Sequence, residues 1–302
     1  MSNQSPDYFD HFLIAGNLAK EVRSYGQSLI VPGASYHEVR EKIAKKIGQL
    51  GAIAAFPPQI SLNHVAAHYL AWPDEEIVFS DQLVKLDVGV CYRGAIGDCA
   101  VTVDLSGKYQ HFIDAAEAAL KAAEQTVEVG VKISEIGRVI AETISSYRLK
   151  PIKNLSGHGL GYYQVHTSPL IGNYQTRCQE KIRPGMTFAI EPFVTDGFGL
   201  IYEDKNPTIF TLQSSYSYKP TSAATCALLT KMETFQGLPF AIHDLMNEDF
   251  SLEQVKETLQ ELMRVKAVAG YPPLIEQRNG MVAQAENSVL VDHAGKVTIT
   301  TR

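Results

Sequence analysis

Four carboxylates and one imidazole, Asp87, Asp98, His158, Glu191 and Glu286, each stand inside or just beside an apolar stretch of the chain. Hard and borderline divalent cations take oxygen and imidazole ligands, so this set suits a two-metal hydrolytic centre. The first pair carries the sharpest argument. Leu83-Val84-Lys85-Leu86-Asp87-Val88-Gly89-Val90 alternates with the period of a strand, and Ala95 to Val103 reads as its partner after Cys91-Tyr92-Arg93-Gly94. With the turn centred between Tyr92 and Arg93, Asp87 lies directly opposite Asp98, their Cβ atoms roughly 5 Å apart. Like charges so placed repel. Either one carboxyl holds a proton or a cation sits between them, and charged residues inside apolar strands are seldom buried unpaired. A metal is the stronger expectation.

Two-metal hydrolases hold their ions roughly 3.5–4 Å apart with bridging carboxylates. Asp98 and Glu286 are the candidate bridges, with Asp87 on one metal and His158 and Glu191 on the other. A water shared between the ions would lose its proton readily and become a nucleophile at neutral pH. Glu286 alone, in Val282-Ala283-Gln284-Ala285-Glu286, has an ordinary explanation as an exposed strand residue; the other four give it weight. Ser156-Gly157-His158-Gly159-Leu160-Gly161 sets a histidine among glycines, which permit close backbone approach and positive φ. Its spacing is neither that of a Walker loop nor that of a dinucleotide fingerprint. His166, eight residues on, could donate a hydrogen bond to a developing oxyanion. His68, in Ala66-Ala67-His68-Tyr69, has a similar case, with His64 as its weaker competitor. Standing alone, each of these histidines is more often packed or solvated. His11, His37, His111, His243 and His293 are read as ordinary packed or surface residues. No Ser-His-Asp arrangement or GxSxG motif offers an alternative nucleophile.

Positioning such a set needs converging strands. Residues 6–29 read as a helix with Phe9, Phe12, Leu13, Leu18 and Val22 near helical spacing, and a second helix opens at the capping box Ser35-Tyr36-His37-Glu38 and stops at Gly51. After the hairpin come helices over His111 to Glu128 and Ser134 to Tyr147. The order then echoes itself: helices, a histidine (His166), and Met186-Thr187-Phe188-Ala189-Ile190-Glu191, a strand ending in a carboxylate. Two similar α+β halves facing each other would converge their strands on one central site. Between Glu191 and Glu286 lies a stretch of different character, with helices over Thr221 to Phe235 and Ser251 to Val268 and strands resuming near Met281 and Val289. It reads as a compact insertion within one domain of 302 residues.

Composition narrows the function classes. At 45% hydrophobic residues the chain can bury a large core, and a net charge of −6 with a pI near 5.9 favours neither nucleic acid nor anionic membrane. Cys91, Cys99, Cys178 and Cys226 show no CxxC spacing, which fits a reducing compartment. No signal-peptide pattern or uninterrupted apolar run of membrane-spanning length is present, so a cytoplasmic location is expected.

At this point the residues resemble a known family. Asp87 and Asp98 eleven apart, Gly157-His158-Gly159, Ile190-Glu191-Pro192-Phe193 and Ala285-Glu286 are similar to the methionine aminopeptidases of the pita-bread metallopeptidase fold. The eight-residue step from His158 to His166, the long insertion, Phe56-Pro57-Pro58 and Tyr271-Pro272-Pro273-Leu274 resemble the type 2 branch in its compact archaeal form. The resemblance implies an α+β pita-bread fold with halves related by a pseudo-twofold axis and a helical, winged-helix-like insertion over about residues 200–273. It implies two divalent ions (cobalt, manganese, iron or zinc) held by Asp87, Asp98, His158, Glu191 and Glu286. His68 would sit near the scissile amide, His166 near the substrate carbonyl, and Glu191 would shuttle the proton from the bridging water to the leaving amine. Phe56 and Val165 would line the pocket for the first side chain. The substrate implied is the N-terminal methionine of nascent polypeptides. The partners implied are a possible proximity to the ribosome, no specific nucleic acid and no membrane, for a monomer. A proline-specific peptidase shares fold and ligands but has shorter connections. A non-enzymatic relative would be expected to lose ligands, and every one is present.

Overall fold

A computed structural model describes residues 7–302 except 215, 217 and 221. Two helices, α1 (Tyr8–Leu29) and α2 (Tyr36–Gln49), precede strands β1 (Ile53–Leu62), β2 (Val65–Ala67), β3 (Leu83–Tyr92) and β4 (Ala95–Asp104). The expected first residue of α1 lies outside the described residues. Its buried stripe is Tyr8, Phe12, Ala15, Ala19 and Val22, whereas Phe9, Leu13 and Leu18 are only partly buried. Small residues face inward because the helix lies tight on its neighbours: a Cβ on Gly16 would meet Thr300 at 2.4 Å. Helix α2 starts at Ser35 as expected, but the capping box does not form. The Ser35 side chain accepts no cap hydrogen bond, and Tyr36 N–H instead donates to the Ile77 carbonyl at 3.0 Å. A partner brought by the tertiary fold replaces the local one.

Strands β1, β3 and β4 form an antiparallel sheet in the order β1-β3-β4, with α1 and α2 against it. The hairpin register differs from expectation. Tyr92 pairs with Ala95, Gly89 with Asp98, and Asp87 with Ala100. The turn is the two-residue Arg93-Gly94, with φ of 50° and 87°, as a type I′ turn requires. The register is thus shifted by two residues. Because strand side chains alternate, Asp87 and Asp98 remain on one face as diagonal neighbours rather than a direct pair.

The second half repeats the plan. Helices α3 (Gln110–Thr126) and α4 (Ile133–Ser146) pack on each other, followed by β5 (Lys150–Pro151), β6 (Ser156–Gly161), β7 (Gln164–Gly172), β8 (Thr187–Ile190) and β9 (Phe193–Thr195). Further along come β10 (Ile201–Glu203), β11 (Ile209–Leu212), α5 (Ala223–Glu233), β12 (Phe240–Ala241), α6 (Ile242–Leu245) and α7 (Leu252–Arg264). The chain continues through β13 (Val268–Tyr271), β14 (Leu274–Glu276), β15 (Val282–Gln284), β16 (Asn287–Val291) and β17 (Val297–Ile299). The second sheet has the order β17-β16-β8-β6-β7. Ala116, Ala119, Ile136 and Ile140 of α3 and α4 share a buried core with Phe188, Ile190 and Val289 of this sheet.

Between the paired strands β10 and β14, the sheet β12-β11-β13 and helices α5 to α7 bury Phe210, Leu228, Met232, Phe240, Val255, Leu259 and Leu262 in a core of their own. Ser222 caps α5 and the Ser251–Gln254 capping box opens α7. Thr221, expected to begin α5, lies outside the described residues. Helix α7 ends at Arg264, short of Val268, because β13 takes that residue into the sheet with β11. Among the described residues no helix is long and apolar enough to cross a membrane.

Candidate metal centre

The five carboxylate and imidazole residues come from both halves of the fold and meet in one cavity of about 280 Å³. Asp87 and Asp98 project from β3 and β4, His158 from β6, and Glu191 follows the end of β8. Glu286 directly precedes β16. Its backbone exchanges hydrogen bonds with Ala100 of β4, at 3.3 and 3.4 Å, stitching the two sheets together at the site. Ser288 Oγ adds a second stitch, accepting from Asp98 N and donating to Asp98 O, both at 2.8 Å.

The glycines around His158 serve one purpose rather than two. None of Gly157, Gly159 and Gly161 has positive φ, and the segment is strand β6, not a loop. Close approach is what they permit: a Cβ on Gly157 would lie 2.3 Å from the Ala189 carbonyl oxygen, and one on Gly159 2.1 Å from that of Ser168. The missing side chains let β6 sit deep between its neighbours and aim His158 at the carboxylates.

One ligand atom each from Asp98, His158 and Glu286 lies within 4.8 Å of the other two. His158 Nε2 is 3.8 Å from Asp98 Oδ2 and 3.5 Å from Glu191 Oε1. Its Nδ1 faces the Gly159 carbonyl at 3.3 Å. A carbonyl only accepts, so Nδ1 carries the proton and the Nε2 lone pair points at the carboxylates, the usual arrangement for a metal-ligating imidazole. Burial pulls the His158 pKa down to about 3, helped by the neighbouring His166.

The carboxylates are held under electrostatic stress. Asp98 and Glu286 are each 2% exposed, and one oxygen each of Asp87 and Asp98 is buried without a hydrogen-bond partner. Burial pushes Asp87 up to about 7. Asp98, Glu191 and Glu286 are pushed well above the usual carboxylate range, by burial first and then by one another and Asp87. Four carboxyls this close cannot all ionise without a cation among them. Orphaned oxygens and an aimed imidazole nitrogen are the donor set that a borderline divalent ion takes.

Residues 10–219 match the model of metallopeptidase family M24. The chain belongs to that family. It is 36% identical over 296 residues to the methionine aminopeptidase of Methanocaldococcus jannaschii, covering 97% of this chain and 98% of the relative. The methionine aminopeptidase of Archaeoglobus fulgidus is 38% identical over 289 residues, covering 95% and 96%. Among solved structures, the methionine aminopeptidase of Thermotoga maritima superposes with a TM-score of 0.72 at 20% identity, covering both chains fully. The prolidase of Pyrococcus furiosus gives 0.63 at 16% identity, covering 99% of this chain and 65% of that one. The α+β pita-bread fold is therefore the observed one, and the chain is a metal-dependent hydrolase with a buried Asp-His-Glu cluster that fits the binding of a divalent metal.

The remaining expected site residues line the same cavity. Phe56 and Val165 are buried in its wall, and His166 is exposed at its mouth with its ring centroid 4.4 Å from that of His158. His68 is half-buried, 6.4 Å from His166, with a φ of 58°. Burial, reinforced by His166, pulls its pKa down to about 4. His64 does not line the cavity; its carbonyl accepts from Glu276 N. His11, His111 and His293 pack on Tyr92, Phe112 and Phe9 away from the site, and His37 and His243 pack on each other. Sequence reasoning missed Gln59 and the side chain of Tyr271, which stands edge-on to His68 with centroids 5.6 Å apart. The paired prolines after each of Phe56 and Tyr271 were the available signal, since they mark backbone set apart from ordinary pairing.

Proposed function

We propose that the protein is a methionine aminopeptidase of the type 2, archaeal-like kind, removing the initiator methionine from nascent proteins and peptides. The observation that carries this is one cavity in which a buried carboxylate–imidazole cluster meets an apolar wall. Asp87, Asp98, His158, Glu191 and Glu286 would hold two divalent ions, with cobalt, manganese, iron and zinc all compatible with the donors. Bound there, the ions supply Lewis acidity and lower the pKa of a water at the cluster. The chain's residues do the rest. Glu191, with 13% of its side chain exposed against 3% for Asp98, is the more open carboxylate and suits taking a proton from the water and passing it to the departing amine. His166, at the mouth, suits donating to the carbonyl oxygen as charge develops on it. Phe56, Val165, Tyr271 and Leu274 give the first side chain an apolar slot, which an unbranched thioether fills well.

Residues 200–273 are proposed to be an inserted subdomain, with the core under α5 and α7 as support. We further read the protein as a cytoplasmic monomer that works near ribosomes, where N-termini emerge; the activity supports this reading. The test is turnover of Met-Ala-Ser by metal-loaded protein against Asp98→Ala. Cleavage lost in the variant supports the reading; preference for an Xaa-Pro bond would move the protein to the proline-specific branch and refute it.

A further inference from the structure

We propose that Gln59 is a positioning residue that fixes the backbone of His68 and so sets its ring in the cavity to meet the scissile amide N–H. The proposal rests on the peptidase reading above. Its basis begins in β1. Pro57 and Pro58 have no N–H to give the ladder, and the β1–β3 register shifts between Phe56 and Gln59. After the shift Gln59 is paired with Asp87 and lines the cavity at 6% exposure. Its Oε1 accepts from His68 N at 2.7 Å. A backbone N–H can only donate, so the amide oxygen, not its nitrogen, is the end held at His68.

That single bond matters because of where His68 sits. A φ of 58° is costly for a residue with a Cβ and persists only when its surroundings over-determine it. Two contacts do so. Gln59 holds the backbone, and Tyr271 stands edge-on to the ring at 79°. A neutral imidazole keeps one nitrogen with its lone pair. The substrate's scissile amide N–H is a donor, and a side chain placed to accept from it orients the bond for attack. Tyr271 precedes β14, far along the chain from β1, so the ring is held between the first half and the segment leading into β14.

The experiment is a double-mutant cycle on the full-length, metal-loaded protein with Met-Ala-Ser as substrate, using Gln59→Met, which is close in shape but lacks the acceptor. Gln59→Ala serves as a second variant. The expected result is a loss of about tenfold in kcat/KM for Gln59→Met, falling mainly on kcat, with metal stoichiometry and affinity unchanged by calorimetry. In the His68→Ala background the same substitution should cost nothing further. Wild-type turnover in Gln59→Met, or equal losses with and without His68, overturns the proposal. Imidazole 13C and 15N shifts provide a readout independent of turnover: one His68 ring environment in the wild type and several in Gln59→Met. An unchanged ring environment refutes the positioning role even in an active enzyme. Loss of the single environment in a protein that cleaves no peptide upholds the positioning and refutes the peptidase reading instead.

Discussion

Stripping the metal should make this protein less stable as the pH rises, and the slope can be worked from the site. Above about pH 7.5 the histidines whose pKa values are pulled down, His64, His68, His158, His166 and His243, are neutral in both folded and unfolded chains, so they drop out. The carboxyls do not. Burial and mutual repulsion raise Asp98, Glu191 and Glu286 well above the value they have in an unfolded chain. Without metal the folded state therefore binds more protons than the unfolded one, and stability falls with pH until each folded pKa is passed. Each proton that the folded state keeps costs about 1.4 kcal/mol per pH unit, so one kept across the two units from about pH 7.5 to 9.5 costs about 3 kcal/mol. For a chain of this size that corresponds to roughly 5 °C in Tm. Thermal melts of chelator-dialysed protein across that window, beside manganese-loaded samples, measure it directly. The loaded protein should show a much flatter profile, because the cation replaces the protons. Identical slopes with and without metal, or a Tm of the stripped protein that does not fall, would refute the account of the carboxylate cluster.

Other outcomes follow from the packing. Gly89→Ala puts a Cβ 2.3 Å from Phe56 Cε1, so the ring must swing into the cavity; KM for a methionyl peptide should rise several-fold with metal affinity unchanged. Gly159→Ala collides with the Ser168 carbonyl oxygen, a backbone atom that cannot turn aside, and should destabilise the fold by about 3 kcal/mol in urea denaturation. Glu276→Ala removes the acceptor for four backbone N–H groups, those of Phe198, Gly199, Arg278 and Gly280, which should cost about 3–5 kcal/mol by the same measurement.

The candidate ligands were legible because they are energetic anomalies. A carboxylate flanked by apolar strand residues makes little sense unless something compensates it, and that logic needs no tertiary information. Register was not legible to the same precision. The hairpin turned at Arg93-Gly94, two positions of register from expectation, yet the period of two kept both aspartates on the same face. Ser35 shows the opposite limit: the local capping pattern was present, but the Ile77 carbonyl competed for the helix N-terminus from a distant segment. Gln59 could not be singled out at all. Its worth depends on a bulge that pairs it with Asp87 and on a turn that brings His68 back to it, both products of the assembled sheet.

The spread of the proposed metal ligands along the chain, from residue 87 to residue 286, also governs when such a centre can exist. At translation rates of about 5–20 residues per second, roughly ten to forty seconds separate synthesis of Asp87 from synthesis of Glu286. During that interval the growing chain carries the Asp87–Asp98 hairpin without the imidazole and carboxylates that complete the site. Catalytic competence is therefore withheld until strand β16 has been made and has docked beside β8. The protein cannot begin work on other N-termini while its own synthesis is unfinished.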